Sequence, residues 1–201
     1  YELGFLTTDD LSSVQEKIVA KRFDEALRCL EAILDTAPEN PEALYMSAVC
    51  HRYLGDQAAA LAVLGELKRL QPEHGRAYQE EGHNYRDLGR ANEALLAYTR
   101  ACRFNPALEA SWRGQQAILE HCGMHTQARQ VALEIERLAL LPKPLIAVTD
   151  LLAQGRILKA EDICRRFLQK APRHVEGMRL LAAIGMRLGV LEDAEFLLES
   201  A

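Results

Sequence analysis

Residues 121–125, His-Cys-Gly-Met-His, set two imidazoles four positions apart with a thiol between them. Such donors hold zinc when one helical face carries both histidines. Cys50-His51 offers a thiol next to a base, the raw material of nucleophilic catalysis. Neighbouring helical residues, however, point about 100° apart, so a cysteine there reads as a buried thiol without an activating partner. The adjacent carboxylates Glu80 and Glu81 read as a solvated helix face and not as an acid–base pair. No phosphate loop, HExxH helix or nucleophile elbow accompanies them. The segment therefore reads as no enzyme, with no catalytic residue, no cofactor and no metal, provided that a helix break at Gly123 separates His121 from His125.

That break is set by a repeat. Lys21, Gly55, Gly89, Gly123, Gly155 and Gly189 follow one another at intervals of 34, 34, 34, 32 and 34 residues. Five residues after each stands an alanine: Ala26, Ala60, Ala94, Ala128, Ala160 and Ala194. Pro38, Pro72, Pro106 and Pro172 recur seventeen residues after the turn position, and the small residues Ala48, Gly82, Val148 and Ala182 stand seven before it. Between these marks apolar residues fall at helical intervals, so each unit is two helices broken at a residue that tolerates a left-handed turn. Gly82 and Ala94 are small where two helix axes approach, with Tyr85 and Tyr98 filling the space between them. Proline stops the second helix because it has no amide hydrogen and disfavours helix before it. A lone hairpin leaves a face unburied, so the hairpins stack.

The chain resembles the tetratricopeptide repeat family, most closely in residues 75–108 through Tyr78, Gly82, Tyr85, Ala94, Tyr98, Ala101 and Pro106. The resemblance runs from residue 7 to residue 201. It implies an all-α, right-handed superhelical solenoid of about six helical hairpins, the last incomplete. Residues 1–6 form an N-terminal extension, 7–140 units one to four, and 141–201 units five and six. In the fourth unit Gln116 replaces the small residue and Leu140 the proline, and Leu-Leu-Pro-Lys-Pro at 140–144 marks an irregular junction, a candidate hinge.

In this family the inner face, built by the first helices, receives the ligand. The corresponding residues are Tyr45, Met46, Arg52, Gln79, His83, Arg86 and Arg113, of which Tyr45, Arg52, Gln79, His83, Arg86 and Arg113 form the candidate ligand-binding groove. Arginines, a histidine and a tyrosine suit an extended peptide bearing carboxylates. In units five and six the same sites are Leu145, Ile146, Thr149, Leu152, Leu180 and Met186, an apolar stretch that either packs in the core or meets another element. The family's chaperone clamp and its asparagine ladder are both missing from their sites. Residues 159–201 resemble bacterial arrays that precede a sulfotransferase domain. The leading expectation is thus a non-catalytic protein- or peptide-binding scaffold, and the alternative a substrate-positioning array of a larger bacterial transferase.

Charge narrows the partners. The net charge is −5, and residues 1–74 carry 7 basic and 13 acidic groups, so no basic ridge for nucleic acid is expected and an acidic partner should favour the later units. Five cysteines without CxxC spacing point to a reducing, cytoplasmic setting, and no apolar run is long enough to cross a membrane. The chain begins at Tyr1, which implies that the native N-terminus lies upstream. Helix 191–201 carries an apolar stripe that invites self-association.

Overall fold

A computed structural model describes residues 8–189. Among them are eleven helices and no strand. The helices are α1 Thr8–Val19, α2 Phe23–Thr36, α3 Pro41–Tyr53, α4 Gln57–Leu70, α5 Gly75–Asp87, α6 Ala91–Phe104, α7 Glu109–His121, α8 His125–Leu140, α9 Lys143–Ala153, α10 Ile157–Lys170 and α11 Val175–Leu188. They form five hairpins and the first helix of a sixth, an all-α repeat solenoid. The expected helix at 191–201, with Ala194 and its self-associating stripe, lies outside the described residues, as does the extension 1–6. The chain divides into two compact units, one ending at Tyr98 and one beginning at Thr99, so the division falls inside α6.

The turns follow the period. Gly55, Gly89, Gly123, Gly155 and Gly189 take φ between 71° and 82°, and Lys21 takes the same left-handed conformation at φ 59°. Each of the first five turns closes in one way, with an amide bonding back to the carbonyl five residues earlier, as Arg90 does to Tyr85 at 2.8 Å and Arg22 to Lys17 at 2.8 Å. The second helices end at Thr36, Leu70, Phe104 and Lys170, each two residues before its proline. The aromatics Tyr78 and Trp112 then reach back six residues, donating to the carbonyls of Pro72 (2.9 Å) and Pro106 (3.0 Å).

Packing within each hairpin is tight at the small positions. Ala26, Ala60, Ala94, Ala128 and Ala160 are all buried, as are Ala48, Gly82, Val148 and Ala182, and Val14 fills the latter site in the first repeat. Tyr98 is fully buried with its ring against Gly82, whereas Tyr85 is only half-buried, under the Arg90 guanidinium at 4.8 Å. In the first unit Val14, Ala26, Leu30, Ile33, Ala43, Met46 and Cys50 form one core cluster, followed by Leu44, Ala48, Leu64, Leu67 and Ala77. In the second unit Leu145, Val148, Leu152, Ala160, Cys164, Leu180, Leu181 and Ile184 do the same.

The irregular junction takes a definite form. Without a proline, α8 runs 16 residues where α4, α6 and α10 run 14, and it ends at an exposed Leu140. Helix α9 starts twenty residues after its turn glycine, as α5 and α7 do, but has 11 residues instead of 13. The two-residue contraction is therefore absorbed by α9 itself. Its C-terminal end is capped from the next repeat, where Arg187 donates to the Leu152 carbonyl at 2.7 Å.

Candidate functional site

The first unit brings most of the expected site residues onto α3 and α5, the first helices of successive hairpins. Asn40 caps α3 by accepting the amides of Glu42 and Ala43, and Pro41 starts the helix without wasting a donor. Helix α5 is capped by His74, whose Nδ1 accepts the Ala77 amide at 3.1 Å.

At the centre of the cluster Arg52 Nε donates to Glu80 Oε2 at 2.7 Å, across the two helices, with side chains only 12% and 6% exposed. Glu80 is thus buried and paired, not solvated as its sequence context suggests; burial pushes its carboxyl up although Arg52 pulls it down. Glu81 is also engaged, accepting from Lys68 at 2.5 Å. The sequence cue to the first pair is the separation of 28 residues, one repeat less six, which puts the two side chains on the seam between neighbouring first helices.

His83 lies one turn further along α5, with Nδ1 2.7 Å from the Tyr98 hydroxyl. Burial and the charges of Arg52 and Arg86 bring its imidazole down to about 4, so it is neutral at physiological pH. Burial raises the Tyr98 and Tyr45 phenols to about 12. Tyr45 lies beside the His74 ring at 5.7 Å, and Gln79 is half-buried on α5. Asn84 Nδ2 donates to the Glu80 carbonyl at 2.8 Å, a fully buried contact that sequence reasoning missed.

The outer arginines are different. Arg86 is 52% exposed and pairs with its neighbour Asp87 at 2.9 Å. Arg113 belongs to the second unit, where it is 63% exposed and held by Glu109 at 2.6 Å. Met46, one of the expected inner sites, is buried in the first core cluster. In the second unit Leu145, Leu152 and Leu180 likewise belong to the core, while Met186 is exposed.

The chemical motifs are dismantled by the same architecture. His121 ends α7 and His125 begins α8, with Gly123 turning between them at φ 72°. Cys50 is fully buried and its thiol pushed up to about 11, far from a reactive thiolate, while His51 is directed to Asp56 at 4.0 Å.

Tetratricopeptide repeat models match residues 18–81 and 75–108. Residues 18–108 of the chain are tetratricopeptide repeats. A curated relative, the cell division cycle protein 27 homolog A of Arabidopsis thaliana, is 33% identical over 88 residues. That match covers 44% of this chain and 12% of the relative, so the chain spans a small part of that protein's length. Among solved structures, a thermophilic TPR protein of Thermus thermophilus, TTC0263, agrees with a TM-score of 0.56 at 23% identity, over 89% of this chain and 98% of its own. The first TPR of Spaghetti (RPAP3) bound to the HSP90 peptide SRMEEVD agrees with a TM-score of 0.54 at 20% identity, over 57% of this chain and 90% of that one. At these identities the structures support the fold alone. The resemblance to sulfotransferase-linked arrays finds no support among these proteins. No helix among the described residues is long and apolar enough to cross a membrane.

Proposed function

We propose that this repeat array is a non-catalytic scaffold that holds a protein or peptide against the face shared by α3 and α5, with Tyr45, Arg52, Gln79, His83 and Arg86 around the ligand. The observation that carries the reading is the contrast between two arginines. Arg52 is buried on Glu80 and fixed, whereas Arg86 is half-exposed on a neighbouring carboxylate, a pairing worth about 0–1 kcal/mol. A ligand carboxylate replaces Asp87 at little cost and gains a charge-assisted bond. The neutral His83 and the Tyr45 phenol add hydrogen-bonding groups for a peptide backbone. The preference is therefore for an acidic chain, and Arg113 offers a comparable exposed cation on α7 of the second unit. That a neighbour in fold is bound to SRMEEVD, itself an acidic peptide, supports such a use of the fold. The five free cysteines suit a cytoplasmic location, where they stay reduced.

The test is a peptide library selected on the wild-type chain, followed by titration of the best binder. Arg86→Glu should weaken it by about 2 kcal/mol, with affinity falling as salt rises. Arg156→Glu, at the start of α10, serves as the control. Equal losses in both variants, or failure to select any acidic peptide, would refute the assignment.

A further inference from the structure

Asn40, His74 and His174 occupy one position of the repeat, the residue before a first helix, and each accepts a backbone amide of that helix. For asparagine the acceptor is a carbonyl oxygen, which no change of pH in the physiological range alters. For histidine it is an imidazole lone pair, which exists only while the ring is neutral. His74 Nδ1 takes the Ala77 amide at 3.1 Å, sharing it with the His74 carbonyl at 2.9 Å, and His174 Nδ1 repeats the side-chain contact with Gly177 at 3.3 Å. Protonating a capping imidazole does two things at once. It turns the acceptor into a donor facing another donor, and it adds a positive charge at the positive end of the helix dipole.

We infer that His74 is an acid-sensitive latch on α5: neutral, it holds the first turn of the helix closed, and protonated, it releases that turn while the Asn40-capped α3 stays shut. The surroundings set the direction of the response. The ring is packed against Tyr45 of α3, and burial lowers its affinity for a proton; Glu42 of α3 opposes this, and Arg76 of α5 adds to it. Lys68 of α4 is engaged by Glu81 and the Tyr78 ring further along α5. The folded pKa thus lies below the unfolded one of about 6.5, so the latch contributes fully above that value and fails as pH falls below it. The helix it controls carries Gln79, His83 and Arg86.

The experiment is amide exchange of the full chain by NMR at pH 7.5 and pH 5, corrected for intrinsic exchange rates, with the Ala43 amide on Asn40 as internal reference. Protection of Ala77 should fall about tenfold relative to Ala43 on going to pH 5, the scale of a lost cap. His74→Asn should keep Ala77 protected at both values, because asparagine supplies an acceptor that does not titrate. Equal loss at Ala43 and Ala77, no loss at either, or an unchanged pH response in His74→Asn would overturn the inference.

Discussion

Three of the glycines inside helices, Gly65, Gly82 and Gly177, differ enough in the space around them to give the same substitution different outcomes. A methyl group added at Gly65, in the middle of α4, meets nothing within 4 Å. There Gly65→Ala removes backbone entropy from the unfolded chain and should stabilise by about 0.5–1 kcal/mol. At Gly82 the same methyl would lie 2.6 Å from two ring carbons of Tyr98, a side chain that is fully buried and tied to His83 at 2.7 Å. The ring is enclosed and held, so an overpacking cost of about 1–3 kcal/mol, with the His83 bond disturbed, should exceed the propensity gain. Gly177 falls between, since the obstacle at 2.8 Å is the far end of Leu168, which can rotate away. Urea denaturation should therefore rank the variants Gly65→Ala above wild type, Gly177→Ala near it and Gly82→Ala below it by about 1–2 kcal/mol. Were Gly82→Ala as stable as Gly65→Ala, the close approach of α5 and α6 would not be what selects glycine there.

Removing one partner of the buried pair, Arg52→Met, should cost about 3 kcal/mol because Glu80 is left charged and enclosed, while the double variant with Glu80→Leu should return to within about 1 kcal/mol of wild type in thermal melts. Lys21→Gly should stabilise by about 0.5–1 kcal/mol, since a left-handed conformation at φ 59° strains a side chain and not glycine; a loss in chemical denaturation would contradict this. His83, neutral in the fold with its proton affinity lowered to about 4, contributes stability that is present above pH 6.5 and lost as pH falls toward 4, about 3 kcal/mol in full. His83→Gln should flatten the stability–pH profile across that window.

The periodic features of the fold were legible because each rests on a local steric demand that only a few residues meet. A left-handed turn wants glycine, a close helix contact wants alanine or glycine, and a helix stop wants proline, so they recur where the geometry recurs. The site was legible only as a set of positions. Arg52 lies on α3 and His83 and Arg86 on α5, first helices as the register places them, yet the partner of each charge is decided by side-chain reach between neighbours. Glu80 illustrates the difference: it looks like a solvated helical carboxylate until Arg52, 28 residues earlier, is seen to cover it. For the inner leucines of the second unit the sequence left both outcomes open, because apolar character alone does not distinguish a core residue from an exposed contact site, and Leu145, Leu152 and Leu180 prove to be core.

The fifth repeat shows what happens when the local demands conflict. Losing the terminal proline lets α8 run on by two residues, and Pro142 and Pro144 then compel a new start almost at once. Had α9 kept 13 residues, every later turn would have stayed in phase at 34. With 11 residues it loses roughly half a turn, at 3.6 residues per turn, yet Leu145, Val148 and Leu152 still face the core, because their intervals of three and four follow the helical stripe from the start of α9 and not from its end. The deletion is thus tolerated where the helix has already made its packing contacts. At the helix end the Leu152 carbonyl, which also accepts the Gly155 amide, takes a second bond from Arg187 of the following repeat, which ties this repeat's end to its neighbour in a way that its sequence alone does not reveal.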